Sequence, residues 1–240
     1  MKTHKIKFAN KIFYFIFTIS ILTNLLLTAA ENLKENSSAA EELLFECEKK
    51  AVKAEPLVAL YEIKNISEII SYVDENTLVL FDLDETLILD PKHGYNREIK
   101  VTQLKPVEGD KTIQVFKAVQ ENALGVIGLT ARPYIAEKDN TLETLISAGI
   151  PLTNPFPQVK NNIIQDDPKI GFFDGIIFTH FKPKGDFLSI FLKSLKIDIG
   201  FTPAKVLFVD DLERNCFSVK VCLEELNIPG TIFHYRCTSE

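Results

Sequence analysis

The chain has 240 residues, 46% of them hydrophobic, and 33 acidic against 27 basic side chains give a formal net charge of −6. That acidic balance argues against nucleic acid as the main partner. With an N-terminal targeting segment set aside, the length supports one sizeable domain, and the absence of any Cys-x-x-Cys pair or Cys/His cluster leaves no indication of zinc.

Lys2, Lys5, Lys7 and Lys11 precede an uncharged, mostly apolar run from Ile12 to Leu27, and Thr28-Ala29-Ala30 places small residues before Glu31. This is the pattern of a secretory signal peptide over residues 1–30. The alternative is an uncleaved membrane anchor, although a spanning helix needs about 20 apolar residues. Cleavage leaves 23 basic against 33 acidic residues, a net −10. The expected product is exported, periplasmic or secreted, with no stable membrane anchor. Cys47, Cys216, Cys222 and Cys237 then meet an oxidising compartment, where four cysteines allow three disulfide connectivities. Asn36 and Asn65 begin Asn-x-Ser sequons.

From Glu31 to about Glu55 the composition reads as a surface helix, and a second short helix is expected over Ile66–Tyr72. A strand from Leu78 follows, running into Asp82-Leu83-Asp84-Glu85-Thr86. After a loop with Pro91, His93 and Gly94 come a helix near Lys111–Asn122, a strand Leu124–Thr130 and a helix from about Pro133 to Ala148, stopped by Gly149-Ile150-Pro151. Residues 152–172 read as irregular or hairpin-like, Gly175–Thr179 as a short strand. Phe187, Ile190, Phe191 and Leu195 at helical spacing mark the next helix. Strand Lys205–Val209, a helix with Leu212, Cys216, Val219, Leu223 and Leu226 on one stripe, and strand Thr231–Tyr235 complete the chain. Strands alternating with helices predict an α/β fold, a Rossmann-like three-layer sandwich with a mostly parallel central sheet.

Ligands of such sheets sit at the carboxyl ends of the strands, and polar residues gather there. Asp82 and Asp84, two apart in an extended chain, are expected on one side, where their like charges call for a divalent cation with oxygen ligands, Mg²⁺ above all. Thr130 ends the second strand, Lys182 and Lys184 open a helix, and Asp210-Asp211 closes a later strand. Singly, each has a plain structural reading: acidic residues and Thr favour helix starts, and lysines are usually solvated. His93 and Arg132 fall in loops near the predicted site, within reach of a substrate, but read most simply as solvated loop residues, and His180 and His234 as satisfying local hydrogen bonds.

In order, however, these four pieces resemble the four motifs of the haloacid dehalogenase (HAD) phosphohydrolase superfamily. The resemblance implies Asp82 as nucleophile and Asp84 as general acid and base. It implies Mg²⁺ held by the Asp82 carboxylate, the Asp84 backbone carbonyl and Asp210, with Asp211 in support, and a phosphoryl group bound by Thr130 and Lys184. Lys182 fits the third motif as well as Lys184 does. Little room remains for a cap, so the HAD-like hydrolase domain, residues 31–240 with a helical extension over about 31–74, has an open site for a phosphorylated small-molecule or macromolecular substrate. Export and the Thr-x-Arg sequence make the chain similar to secreted bacterial acid phosphatases of classes B and C, although Asp210-Asp211 followed by Glu213 and Asn215 departs from their fourth motif. A branch of exported bacterial HAD proteins without assigned function is closer. The rival expectations are a protein phosphatase of the Asp-Leu-Asp-Glu-Thr type and a non-catalytic exported interaction protein that keeps the fold.

Overall fold

Thr77–Phe81 and Gly125–Thr130 are buried at every position, as strands are when helices cover both faces of a sheet. The computed structural model describes residues 56–89, 104–153, 162–163 and 167–237. In chain order the elements are β1 Val58–Ile63, a 3-10 helix Ile66–Tyr72, β2 Thr77–Phe81, β3 Ile88–Leu89, β4 Lys105–Pro106, α1 Asp110–Asn122, β5 Gly125–Thr130, α2 Tyr134–Ser147, β6 Asn162–Ile163, β7 Gly171–Phe173, β8 Ile176–Phe178, α3 Lys184–Ile199, β9 Lys205–Asp210, α4 Glu213–Leu226 and β10 Gly230–Tyr235.

The main sheet runs β1, β10, β9, β2, β5, β8, β7, β6, with β3 and β4 forming a separate antiparallel pair. Pairings from β1 through to β8 are parallel, and those of β8 with β7 and β7 with β6 are antiparallel. Because strand side chains alternate, the two faces build separate cores. Leu78, Leu80, Ile127, Leu129 and Phe208 meet Phe187, Leu188 and Phe191 of α3 and Val219 and Leu223 of α4. On the opposite face Val79, Phe81, Val126, Leu207 and Val209 meet Val115, Phe116 and Val119 of α1 and Leu145 of α2, with Ile66 and Ile69 of the 3-10 helix. The fold is the expected α/β three-layer sandwich.

From β2 the chain winds through α1 to β5 and through α2 to β8, then α3 carries it back to β9 on the other side of β2. β2 and β9 therefore flank the point where the strand order reverses, the place where ligands of such sheets bind. Phe81 lies opposite both Val209 and Gly128. The register thus brings Asp82 beside Asp210 at the carboxyl edge, with Thr130 closing the neighbouring strand.

The expected helical extension over about 31–74 is corrected at Val58–Ile63, an edge strand in six-residue register with β10. A short apolar run has no period long enough to separate strand from helix, and pairing decides it. The leader 1–30, the helix 31–55, Cys47, His93 and Asn36 lie outside the described residues. Cys216, Cys222 and Cys237 are free thiols, so no disulfide forms among these three. Among the described residues, no helix is long and apolar enough to cross a membrane.

Candidate functional site

β2 ends at Phe81, and the next residue, Asp82, is anchored by its N–H, which donates to the Val209 carbonyl at 2.9 Å. The Thr86 hydroxyl donates to Asp82 Oδ2 at 3.0 Å and accepts the Asp211 N–H at 3.1 Å, tying the turn after β2 to the end of β9. Asp210, the last residue of β9, receives the Leu212 N–H on Oδ1 at 2.8 Å and the Asn215 amide at 3.0 Å. Lys184 opens α3 with its side chain only 1% exposed; Nζ donates to Asp82 Oδ1 and, at 2.6 Å, to Asp210 Oδ2.

The lysine reaches that position because α3 and α4 cross very closely. The Gly185 N–H donates to Ser218 Oγ at 3.0 Å. A Cβ on Gly185 would stand 2.1 Å from the Ser218 carbonyl oxygen. Only glycine fits there.

Oxygens of Asp82, Asp210 and Asp211 lie within 4.8 Å of one another. Burial pushes the Asp82 carboxyl well above the ordinary carboxylate range; Asp210 and Asp84 add to that rise, and Lys184 opposes it. Asp211 is pushed up to about 6, first by burial and then by Asp210. Burial works against the Lys184 charge, but Asp82 and Asp210 outweigh it and hold the ammonium above its ordinary value. Three carboxylates facing one ammonium form an all-oxygen donor set with excess negative charge, which suits a hard divalent cation.

Asp84 is held separately. Its carboxylate does not join that cluster but lies in the fork of Arg132, with Nε to Oδ2 at 3.0 Å and Nη2 to Oδ1 at 2.6 Å. The strand alternation that would align Asp82 with Asp84 stops at Phe81, and the chain turns, with the Leu87 N–H on the Leu83 carbonyl and Glu85 at a φ of 63°. Arg132 is 4% exposed rather than solvated; Nη1 donates to the Thr141 hydroxyl and its N–H to Thr130 Oγ1 at 3.2 Å. The structure therefore brings Asp82, Lys184, Asp210 and Asp211 together and links Asp84 to Thr130 through Arg132.

Lys182 is 46% exposed and pairs with Asp167, so Lys184 alone of the two lysines enters the cluster. His234 Nε2 lies 3.0 Å from the Asp211 carbonyl oxygen, a local hydrogen bond as expected. Asn65 precedes the 3-10 helix and accepts a hydrogen bond from Lys111. Thr86, Arg132 and Asn215 are the partners that sequence reasoning did not assign to the site. Thr86 had a signal, since it falls four residues after Asp82, and Arg132 had one in its loop two residues after Thr130, although its bond to Asp84 is visible only in the fold; Asn215 is recognisable only from its contacts.

No curated protein and no solved structure matches this chain significantly. A family model described as "Protein of unknown function (DUF2608)" matches residues 96–240. The matched segment holds Thr130, Arg132, Lys184, Asp210 and Asp211 and begins after Asp82 and Asp84. It spans more than half of the sequence, and the chain belongs to the DUF2608 family.

Proposed function

We propose that this protein is an exported, Mg²⁺-dependent phosphomonoesterase of the HAD type that works through an aspartyl-phosphate on Asp82. The observation that carries this reading is the buried Lys184 ammonium, bonded at once to Asp82 and Asp210 at the edge where the strand order reverses. A buried lysine between two carboxylates is a poor stabilising device, because desolvation offsets most of the Coulombic gain. The same arrangement is well suited to a site that receives a phosphoryl group, where fixed charges aimed at the reacting centre lower the barrier.

An Asp82 oxygen, whose negative charge the Lys184 ammonium favours against burial, attacks phosphorus as the bond from phosphorus to the ester oxygen breaks. Asp84 gives that leaving oxygen a proton, then takes one from the water that attacks phosphorus. Breakage of the aspartyl-phosphate bond returns Asp82 and releases inorganic phosphate. The fork of Arg132 orients the Asp84 carboxyl toward the reacting centre. Thr130 and Lys184 donate to phosphoryl oxygens. Mg²⁺, held by Asp82, Asp210, Asp211 and the Asp84 carbonyl, supplies further neutralisation of phosphoryl charge when bound. The leader pattern of residues 1–30 supports export.

The test is hydrolysis of p-nitrophenyl phosphate by the purified protein with Mg²⁺ or with EDTA, alongside Asp82→Asn. Turnover that disappears with either EDTA or the substitution supports the reading. Turnover that persists in Asp82→Asn excludes the covalent route.

A further inference from the structure

Beside the site, the loops leaving β5 and β8 frame a cavity of about 460 Å³, lined by Pro133, Ile135, Pro168, Lys169, His180 and Phe181 among others. That is within the size range of small-molecule pockets. One of its lining residues, Pro133, directly follows Arg132, and the loop that carries His180 and Phe181 is bonded to the Thr130–Arg132 backbone. The His180 N–H donates to the Arg132 carbonyl at 3.3 Å and the Phe181 N–H to the Ala131 carbonyl at 2.9 Å. Thr179 Oγ1 donates to the Thr130 carbonyl at 3.1 Å. These bonds fasten the loop that carries His180 and Phe181 to the segment that carries Arg132.

His180 and Phe181 are consecutive residues with φ of 48° and 61°. Side chains other than glycine rarely adopt this conformation, and such strain concentrates at ligand sites. Glycine would relieve it, yet the chain places two rings there, with centroids 5.8 Å apart, and leaves Phe181 60% exposed. A phenyl ring held open to solvent by its backbone, beside Pro133, Ile135 and Pro168 in a wall that also carries Glu137 and Lys169, offers a stacking surface.

We propose that this cavity is the leaving-group subsite and that it selects phosphomonoesters whose alcohol carries a flat aromatic ring, with Phe181 as the specificity-determining residue. The inference rests on the phosphatase reading. Ring stacking on Phe181 places the ester oxygen toward Asp84, and hydrolysis releases the aromatic alcohol and inorganic phosphate. Lys169, which also lines the cavity, further suits a ring bearing electron-rich substituents, through the attraction between a cation and a π face.

Benzyl phosphate and ethyl phosphate are a suitable pair of probes, because both leave as primary alkyl alcohols and differ mainly in the ring. Both are assayed on the full chain with Mg²⁺, for wild type, Phe181→Ala and Phe181→Tyr. The expected result is a kcat/KM about tenfold or more higher for benzyl phosphate, carried mainly by KM. That preference disappears in Phe181→Ala and is kept in Phe181→Tyr. Turnover of both esters with no ring preference, or a preference untouched by Phe181→Ala, overturns the subsite and leaves the phosphatase reading standing. Silence on both esters and on p-nitrophenyl phosphate overturns both.

Discussion

Replacing Lys184 with Met keeps the length and apolar stem of the side chain and removes its charge. It leaves Asp82 and Asp210, both buried, facing each other with no ammonium between them. Breaking a buried ion pair from one side costs about 3–5 kcal/mol. An independent bound comes from the escape open to the variant, protonation of one carboxylate. From an ordinary pKa of about 3.9, that step costs about 4 kcal/mol at pH 7 and about 1.5 kcal/mol at pH 5, at about 1.4 kcal/mol per pH unit. The two routes agree at neutral pH, and the second adds a signature, since the loss must shrink toward acid. Urea denaturation in EDTA at pH 7 and pH 5, wild type against Lys184→Met, reads both. Mg²⁺ added at pH 7 is expected to raise the midpoint of the variant, because a cation that binds only the folded chain stabilises it. A loss below about 1 kcal/mol at pH 7, or one that does not change with pH, is incompatible with a Lys184 that neutralises buried carboxylates.

The other perturbations address the scaffold and the partners of the cluster. Gly185→Ala forces α3 away from the Ser218 carbonyl and is expected to cost about 1–3 kcal/mol, the range for overpacking; a melting temperature equal to wild type would show that the helix crossing yields freely. Arg132→Gln removes the fork that orients Asp84 and is expected to lower kcat at least tenfold with the fold retained, by steady-state kinetics and circular dichroism; an unchanged kcat would make Arg132 purely structural. The Glu108 carboxyl is pushed up by burial, but Lys111, the Ile66 N–H and the Tyr235 hydroxyl outweigh this and hold it below its ordinary value. A depressed folded pKa contributes stability that is complete above the unfolded value and lost as pH falls through the folded one. The gap in stability between wild type and Glu108→Gln should therefore narrow between pH 7 and pH 3 in urea titrations; a gap that stays constant assigns Glu108 no ionic role.

Much of this protein is legible along the chain because its signals are local. Apolar runs with β-branched residues mark β2, β5 and β9, helical spacing marks α3 and α4, and Gly149-Ile150-Pro151 marks the end of α2. In a parallel sheet the polar residues that close strands fall at one edge, so Asp82, Thr130 and Asp210 point to a common place before any coordinates exist. Pairing of distant segments is another matter. Val58–Ile63 became a strand only by lying along β10, Lys184 was chosen over Lys182 by a helix crossing that depends on Gly185 and Ser218, and Arg132 turned from a loop residue into the partner of Asp84 through a contact 48 residues apart. Periodicity and capping act over a few residues and can be read one segment at a time. Burial, register and the choice between two lysines depend on which surfaces meet, and only the packed fold decides that.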